Sequence, residues 1–414
     1  MDDNLIIINA NLFTPVGNAA ARGEEMGHLL HIPNAIIVIT HGKFLYAGDG
    51  ELMPAIIPSA FEVIDAKGNA VIPGFVDSHT HLIFGGYRPD EFGWRLKGES
   101  YMSIMERGGG IQSTVDATRS ASADELADKA QWFIDRMSAM GVTTVEAKSG
   151  YGLDMANELK MLEAIDILRK KENQKIDVIP TFLGAHAVPK EFKGRTGEYV
   201  DLIIREMLPI VKDKASFFDI FTEKNVFEIE DSRRLLRAAK DAGMMLKLHA
   251  DEIVTLGGAE LAAEMGAVSA DHLLHVSDEG IKAMAEKGVV ATLLPLTAFS
   301  LREPYAPARK FIDKGCAVAL ATDLNPGSCF SGSIPLTIAL ACIYMNMTIE
   351  ETLTALTLNG AAAVNKAATI GTIERGKQGD LLILEFPEIS MLPYYVGMNC
   401  VKTTVHNGRI VAQN

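Results

Sequence analysis

The chain has 414 residues, 48% hydrophobic and 22% charged, a globular composition too long for one hydrophobic core, so a catalytic domain of about 250 residues with a smaller companion is expected. Thirty-nine basic against 53 acidic residues leave a formal net charge of −14, which argues against nucleic acid and anionic membranes as partners and means that an anionic small molecule needs a local cation. The acidic Asp2-Asp3 is not the basic start of an export signal, and no run reaches the roughly 18 apolar residues of a membrane span. Cys316, Cys329, Cys342 and Cys400 lack CxxC spacing, so a cytoplasmic protein with free thiols is expected.

Residues 5–9, 35–40 and 44–47 read as short β runs, the last two joined across Thr40-His41-Gly42-Lys43 as a hairpin. From residue 70 the pattern changes. Apolar runs at 70–76, 143–147, 177–183, 217–221, 246–248, 269–270, 289–294 and 317–321 alternate with helical segments such as 123–140, 155–171, 231–242 and 278–287. This alternation predicts a (β/α)8 TIM-like barrel over 70–359. A doubly wound open sheet is the second architecture, but no GxGxxG follows the first run and no GxxxxGK[ST] occurs anywhere. Residues 380–385, 403–405 and 409–411 return to the β pattern, the last two joined across His406-Asn407-Gly408. Isolated hairpins are marginal in water, so 1–69 and 360–414 are expected to pack together as one small β-sandwich domain.

The first barrel run ends in Asp77-Ser78-His79-Thr80-His81, and imidazoles at i and i+2 on a strand face one way and can share a metal ion. His249, His272 and Asp323 close the fifth, sixth and eighth runs, which puts all of them on the carboxyl-terminal rim where barrel enzymes carry their active sites. Glu252, three residues past His249, is placed to shuttle a proton, and His275 rivals His272 on register alone. Arg88, whose planar fork suits a carboxylate, lies in the loop after the first run. In that loop Gly108-Gly109-Gly110 reads as a mobile lid, since no Lys-Ser/Thr follows to make a phosphate cradle. His28, His31, His41 and His406 have no partners at ligand spacing and are expected on the surface, and Cys329 is not needed as a ligand.

The stretch Val71-Ile72-Pro73-Gly74-Phe75-Val76-Asp77 with its HxH, the strand-five and strand-six histidines and Ala321-Thr322-Asp323 together resemble the metal-dependent amidohydrolases over nearly the whole chain. Many of that superfamily build a small sandwich from both termini. Within it, five segments are similar to the imidazolonepropionase family: Phe84-Gly85-Gly86-Tyr87-Arg88, Gly108-Gly109-Gly110-Ile111, Lys148-Ser149-Gly150-Tyr151-Gly152, Phe182-Leu183-Gly184-Ala185-His186 and Thr322-Asp323-Leu324-Asn325-Pro326-Gly327-Ser328. Tyr87 and Cys329 are small departures that touch no proposed ligand.

Opening an unreactive cyclic amide at neutral pH needs a strong nucleophile, which a metal supplies by lowering the pKa of water towards roughly 7. His79, His81, His249 and Asp323 are the expected ligands of one zinc or iron ion per chain. One ion is favoured because strand four, Phe218-Asp219-Ile220-Phe221-Thr222-Glu223, lacks the bridging lysine of dinuclear relatives. Proton transfer is left open between Glu252, His272 and Asp323. The resemblance implies a substrate with a propanoate arm, 4-imidazolone-5-propanoate opened to N-formimidoyl-L-glutamate, its carboxylate held by Arg88. Tyr101, Tyr151, His186, Glu252, Asn325, Gly327 and Ser328 are the further substrate-binding candidates, with backbone N–H groups of the 325–328 turn on the opened product. A homodimer is also implied. A deaminase of the same superfamily is the second activity, because His249-x-x-Glu252 with His272 and Asp323 also suits attack on an aromatic C–NH2 carbon. A non-catalytic barrel scaffold is the third, opposed by the intact ligand set.

Overall fold

The computed structural model describes residues 4–50, 61–99 and 109–414. Five strands come first: β1 (Leu5–Thr14), β2 (Leu30–Thr40), β3 (Lys43–Asp49), β4 (Glu62–Asp65) and β5 (Ala70–Pro73). The chain then builds β6 (Phe75–Asp77), β7 (Val142–Lys148), β8 (Asp177–Ala185), β9 (Phe217–Thr222), β10 (Met245–Ala250), β11 (Ser269–His272), β12 (Val290–Leu293) and β13 (Val318–Leu320). It closes with β14 (Leu381–Leu384), β15 (Val401–His406) and β16 (Arg409–Gln413). Both ends form one mixed sheet in the order β16-β15-β14-β5-β1-β2-β3, with β4 alongside β1. Leu5, Ile7, Ile37 and Ile39 from the amino end share an apolar cluster with Leu381, Ile383 and Val405 from the carboxyl end. Neither end alone could bury that face, and burial contributes about 2 kcal/mol for each such side chain.

Strands β6 to β13 form a parallel sheet in strict chain order, the architecture the alternating pattern predicts. Helices between them are well specified locally. Ala123–Ala139 starts at a capping box of Ser122 with Glu125, and Asp278–Lys287 starts at Ser277, whose hydroxyl accepts the Gly280 N–H, and stops at left-handed Gly288. The seam between the first and last barrel strands is closed beyond their ends. The Asp323 N–H donates to the His79 carbonyl at 3.0 Å, the His81 N–H to the Leu324 carbonyl at 3.0 Å, and the Asp77 carboxylate accepts both the N–H and the hydroxyl of Thr322. Closing the seam therefore brings the HxH segment and Asp323 together. Among the described residues no helix is long and apolar enough to cross a membrane.

Two expectations change. The run 70–76, read as one barrel strand from its continuous apolarity, is two strands: Ala70–Pro73 pairs with β1 and β14 in the terminal sheet, and only Phe75–Asp77 enters the barrel. The switch falls at Gly74, whose N–H bonds to Asp380 while the next N–H, of Phe75, bonds to Gly141 across in the barrel. Apolarity records burial and not which sheet buries a strand. His28, His31 and His41 are exposed as expected, but His406 is only 6% exposed. The β15–β16 hairpin folds against the barrel base and sets its Nδ1 3.0 Å from Asp380 and its Nε2 3.7 Å from Asp177.

Candidate metal centre and substrate cavity

Each candidate ligand sits where a strand delivers it. His79 and His81 follow β6, and although that strand ends at Asp77 the alternation persists: the Thr80 hydroxyl donates outward to the Glu146 carbonyl while both imidazoles face the barrel axis. His249 lies within β10 and His272 ends β11, each at a longer strand than the apolar runs alone suggest. His272 and Asp323 both take left-handed backbone, at φ 76° and 53°, as the chain turns sharply off the rim.

The donors converge. Nε2 of His249 lies 3.3 Å from Nε2 of His81, and Asp323 Oδ1 lies 3.5 Å from His81 Nε2 and 3.6 Å from His79 Nε2. Those spacings match the edge of a tetrahedron, about 3.4 Å, whose corners lie about 2.1 Å from a central ion. His79 Nε2 and Asp323 Oδ1 are buried and have no hydrogen-bond partner among the described residues, as ligand atoms aimed at an ion would be. The far sides of two rings are fixed: His79 Nδ1 donates to Asp271 at 2.6 Å and His249 Nδ1 to Asp219 at 3.2 Å, which leaves each Nε2 lone pair inward. Thr297 donates to Asp323 Oδ2 at 2.6 Å and so leaves Oδ1 for the centre. The residues present thus fit an ion held by three imidazoles and one carboxylate.

Burial, reinforced by neighbouring positive charge, holds His79, His81 and His272 well below the usual imidazole range. His249 differs: burial would lower it, but the Asp219 carboxylate at its Nδ1 outweighs that and raises it. Burial pushes Asp323 up to about 6 and Glu252 up to about 8, the latter helped by the Asp323 charge. Glu252 Oε1 stands 3.5 Å from His272 Nδ1. Its loop is held by two carboxylates. Asp251 accepts the N–H groups of Leu256, Gly257, Gly258 and Ala259, and Glu223 accepts that of Ile253.

A cavity of about 520 Å3 opens over these donors and is lined by His81, Arg88, Tyr151, His186, His249, Glu252, His272, Asp323, Asn325, Gly327 and Ser328. Nearly all the predicted site residues therefore meet in one place. Tyr101 and Gly108 lie outside the described residues. His275 is half-buried and does not line the cavity, so the register choice falls to His272. Cys329 directs its sulfur to the Thr322 carbonyl at 3.3 Å. His186 donates from Nδ1 to the Gly150 carbonyl, which leaves Nε2 as an acceptor, and its ring stacks on His81 at 4.8 Å. Burial raises the Tyr151 hydroxyl, so it remains a proton donor.

Arg88 is gripped by Glu91 at 2.6 Å and lies against Gly327, where an added Cβ would come within 2.5 Å of its Nη1. The 325–328 turn is closed differently from the expectation. Asn325 Oδ1 accepts the Gly327 and Ser328 N–H groups at 2.8 and 2.7 Å, so those donors are already used inside the turn and are not free for the opened product. Sequence reasoning also missed Lys148, Asp219, Lys247 and Asp271, all with side chains 0% exposed. The signal was there: charged residues interrupt strands that are otherwise apolar, as in Phe217-Phe218-Asp219-Ile220 and Leu246-Lys247-Leu248.

Comparison with known proteins bears on this site. The sequence profile of the Amidohydrolase family matches residues 70–411. The imidazolonepropionase of Phocaeicola vulgatus is 60% identical over 416 residues, covering 100% of both chains, and that of Clostridium tetani is 55% identical, covering 99% of this chain and 98% of its own. Among solved structures, guanine deaminase of E. coli aligns over 99% of each chain with a TM-score of 0.73 at 15% identity. A 5-methylcytosine deaminase from Klebsiella pneumoniae aligns over 99% of this chain and 98% of its own with a TM-score of 0.72 at 17% identity. These two likenesses concern the fold alone. The chain belongs to the amidohydrolase family and, within it, to the family of the imidazolonepropionases.

Proposed function

We propose that the protein hydrolyses the cyclic amide of 4-imidazolone-5-propanoate to N-formimidoyl-L-glutamate, as a cytoplasmic homodimer holding one zinc or iron ion per chain. The observation that carries this reading is the guanidinium of Arg88, 12% exposed, in the same cavity as the three-histidine, one-carboxylate donor set. A deaminase of a neutral base has no use for a carboxylate clamp, whereas a propanoate arm in a chain of net charge −14 requires one. The imidazolonepropionase relatives support the same choice, and the four free cysteines suit a reducing compartment.

His79, His81, His249 and Asp323 would hold the ion, which would supply Lewis acidity for lowering the pKa of water and polarising the ring carbonyl. The chain's own residues do the rest. Arg88 anchors the propanoate, and Tyr151 as donor with His186 as acceptor fixes the ring. Glu252, whose proton affinity lies near neutrality, takes a proton from the attacking water and returns it to the departing ring nitrogen, with His272 beside it to orient the water. In balance, the water oxygen bonds the carbonyl carbon, the carbon–nitrogen bond breaks and the nitrogen gains hydrogen.

The test combines elemental analysis with the ultraviolet absorbance of freshly generated substrate. Near one metal per chain with metal-dependent loss of the ring absorbance and formation of formiminoglutamate is expected. Metal without ring opening would overturn the substrate assignment, and light scattering at the mass of a monomer would overturn the dimer.

A further inference from the structure

We infer that Lys148 and Lys247 are positioning residues of the metal centre, each standing behind an aspartate that itself stands behind a ligand histidine; this rests on the metal-dependent reading above. The two chains of contacts are alike. Lys148 Nζ lies 2.6 Å from Asp219 Oδ2, and Asp219 Oδ1 lies 3.2 Å from His249 Nδ1. Lys247 Nζ lies 3.5 Å from Asp271 Oδ2, and the same oxygen lies 2.6 Å from His79 Nδ1. All four lysine and aspartate side chains are 0% exposed. They come from four different strands: β7, β9, β10 and β11.

Such an arrangement has a physical purpose. A carboxylate behind an imidazole selects the tautomer that presents Nε2 to the ion and holds the ring in plane. A carboxylate taken out of water is costly to keep charged, and a buried ammonium beside it lowers that cost; the Ile220 N–H on Asp219 and the Ser269 hydroxyl on Asp271, both at 2.7 Å, add neutral donors but no charge. The remaining lysine contacts keep each ammonium in place: Lys148 donates to Glu146 at 2.7 Å, and Lys247 donates to the Ser78 and Ala363 carbonyls, both at 3.2 Å. Glu146 in turn accepts the Thr80 N–H between the two HxH ligands at 3.2 Å. The third histidine shows the contrast. Among the described residues His81 Nδ1 has no hydrogen-bond partner, carboxylate or otherwise, and its ring is set by stacking on His186.

The test measures zinc affinity of the chelator-stripped full chain by competition with a chromophoric chelator, for wild type, Lys148→Met, Lys247→Met and Lys377→Met. The last is a matched control: Lys377 is 3% exposed and is held by the Gly17 and Ala367 carbonyls, remote from any ligand histidine. Lys148→Met and Lys247→Met are expected to bind zinc about 10- to 100-fold more weakly, with KM of the zinc-saturated enzyme within about twofold of wild type. Lys377→Met should stay within about twofold in zinc affinity even where its thermal midpoint falls. Folded Lys148→Met and Lys247→Met with wild-type affinity would overturn the inference. If either fails to fold, Asp219→Asn and Asp271→Asn in the same assay carry the same expectation, and wild-type affinity there overturns it too. A wild-type chain that holds no metal would sink the metal-dependent reading itself, an outcome distinct from unchanged variants of a metal-binding wild type.

Discussion

At the amino ends of the barrel strands a cleft of about 1030 Å3 runs between Arg169, Asp177 and Lys366 and strand β16, while the cavity at the carboxyl ends measures about 520 Å3. Charged groups line both. In the larger cleft they stand in water and largely answer one another: Lys170 pairs with Asp166 at 2.6 Å with 75% and 47% of the side chains exposed, and Gln378 donates to Asp177. In the smaller one, His81 Nδ1, both nitrogens of His272, Asp323 Oδ1 and Arg88 Nε are buried with no hydrogen-bond partner among the described residues. Exposed pairs cost little to form and contribute little, whereas buried polar atoms without partners are unfavourable until something binds them. The larger cleft has only a lone hydroxyl of this kind among its described residues, Thr144 Oγ1, so the comparison teaches that converging unpartnered imidazole, carboxylate and guanidinium atoms mark a site better than volume does.

The sharpest way to break that comparison is to remove one group from each end. His249→Ala or Asp323→Ala should lower kcat/KM by about 10³-fold or more, about 4 kcal/mol of transition-state stabilisation, while Arg169→Ala in the larger cleft should change it by no more than about twofold. Comparable losses from both ends in steady-state assays would erase the distinction. Arg88→Ala should raise KM by about 100-fold with a smaller effect on kcat. Gly327→Ala, whose new methyl would sit on the Arg88 guanidinium, should raise KM by about tenfold through the same anchor. Metal removal comes next: a saturating chelator should lower the thermal midpoint, and zinc at about 100 times its Kd should restore about 2.7 kcal/mol. No change in the midpoint would show that the unpartnered donors of the smaller cavity do not hold an ion.

The smallest effect belongs to the barrel base. Burial alone would depress His406, but the Asp380 and Asp177 carboxylates outweigh it and raise its pKa above the usual value of about 6.5. A raised folded-state pKa stabilises fully below the unfolded value and loses that contribution as pH climbs through the folded one. The gap in thermal midpoint between wild type and His406→Asn should therefore be widest near pH 6 and narrow by pH 9. A gap that widens with rising pH would reverse the assignment.

Much of this was legible in the chain. Alternating apolar runs and helical segments specify a βα repeat because each buried strand must be covered by an amphipathic helix, and the strand ends then place His79, His81, His249, His272 and Asp323 on one rim. Spacing put Glu252 beside the ligands, and composition called for a cation such as Arg88. Other features depended on contacts between residues far apart in sequence. Pro73-Gly74 passes from one sheet to another only because β14 waits in the terminal sheet and β7 in the barrel. Asn325 consumes the N–H groups of its own turn, a matter of side-chain direction that residue types do not reveal. Lys148 and Asp219 are 71 positions apart, and Asp271 and His79 are 192 apart. Local sequence determined which residues reach the carboxyl-terminal rim, because periodicity and strand length are short-range properties. Tertiary structure alone decided which buried charge meets which, because a charge inside an apolar strand is tolerable only next to a partner that barrel closure brings from elsewhere.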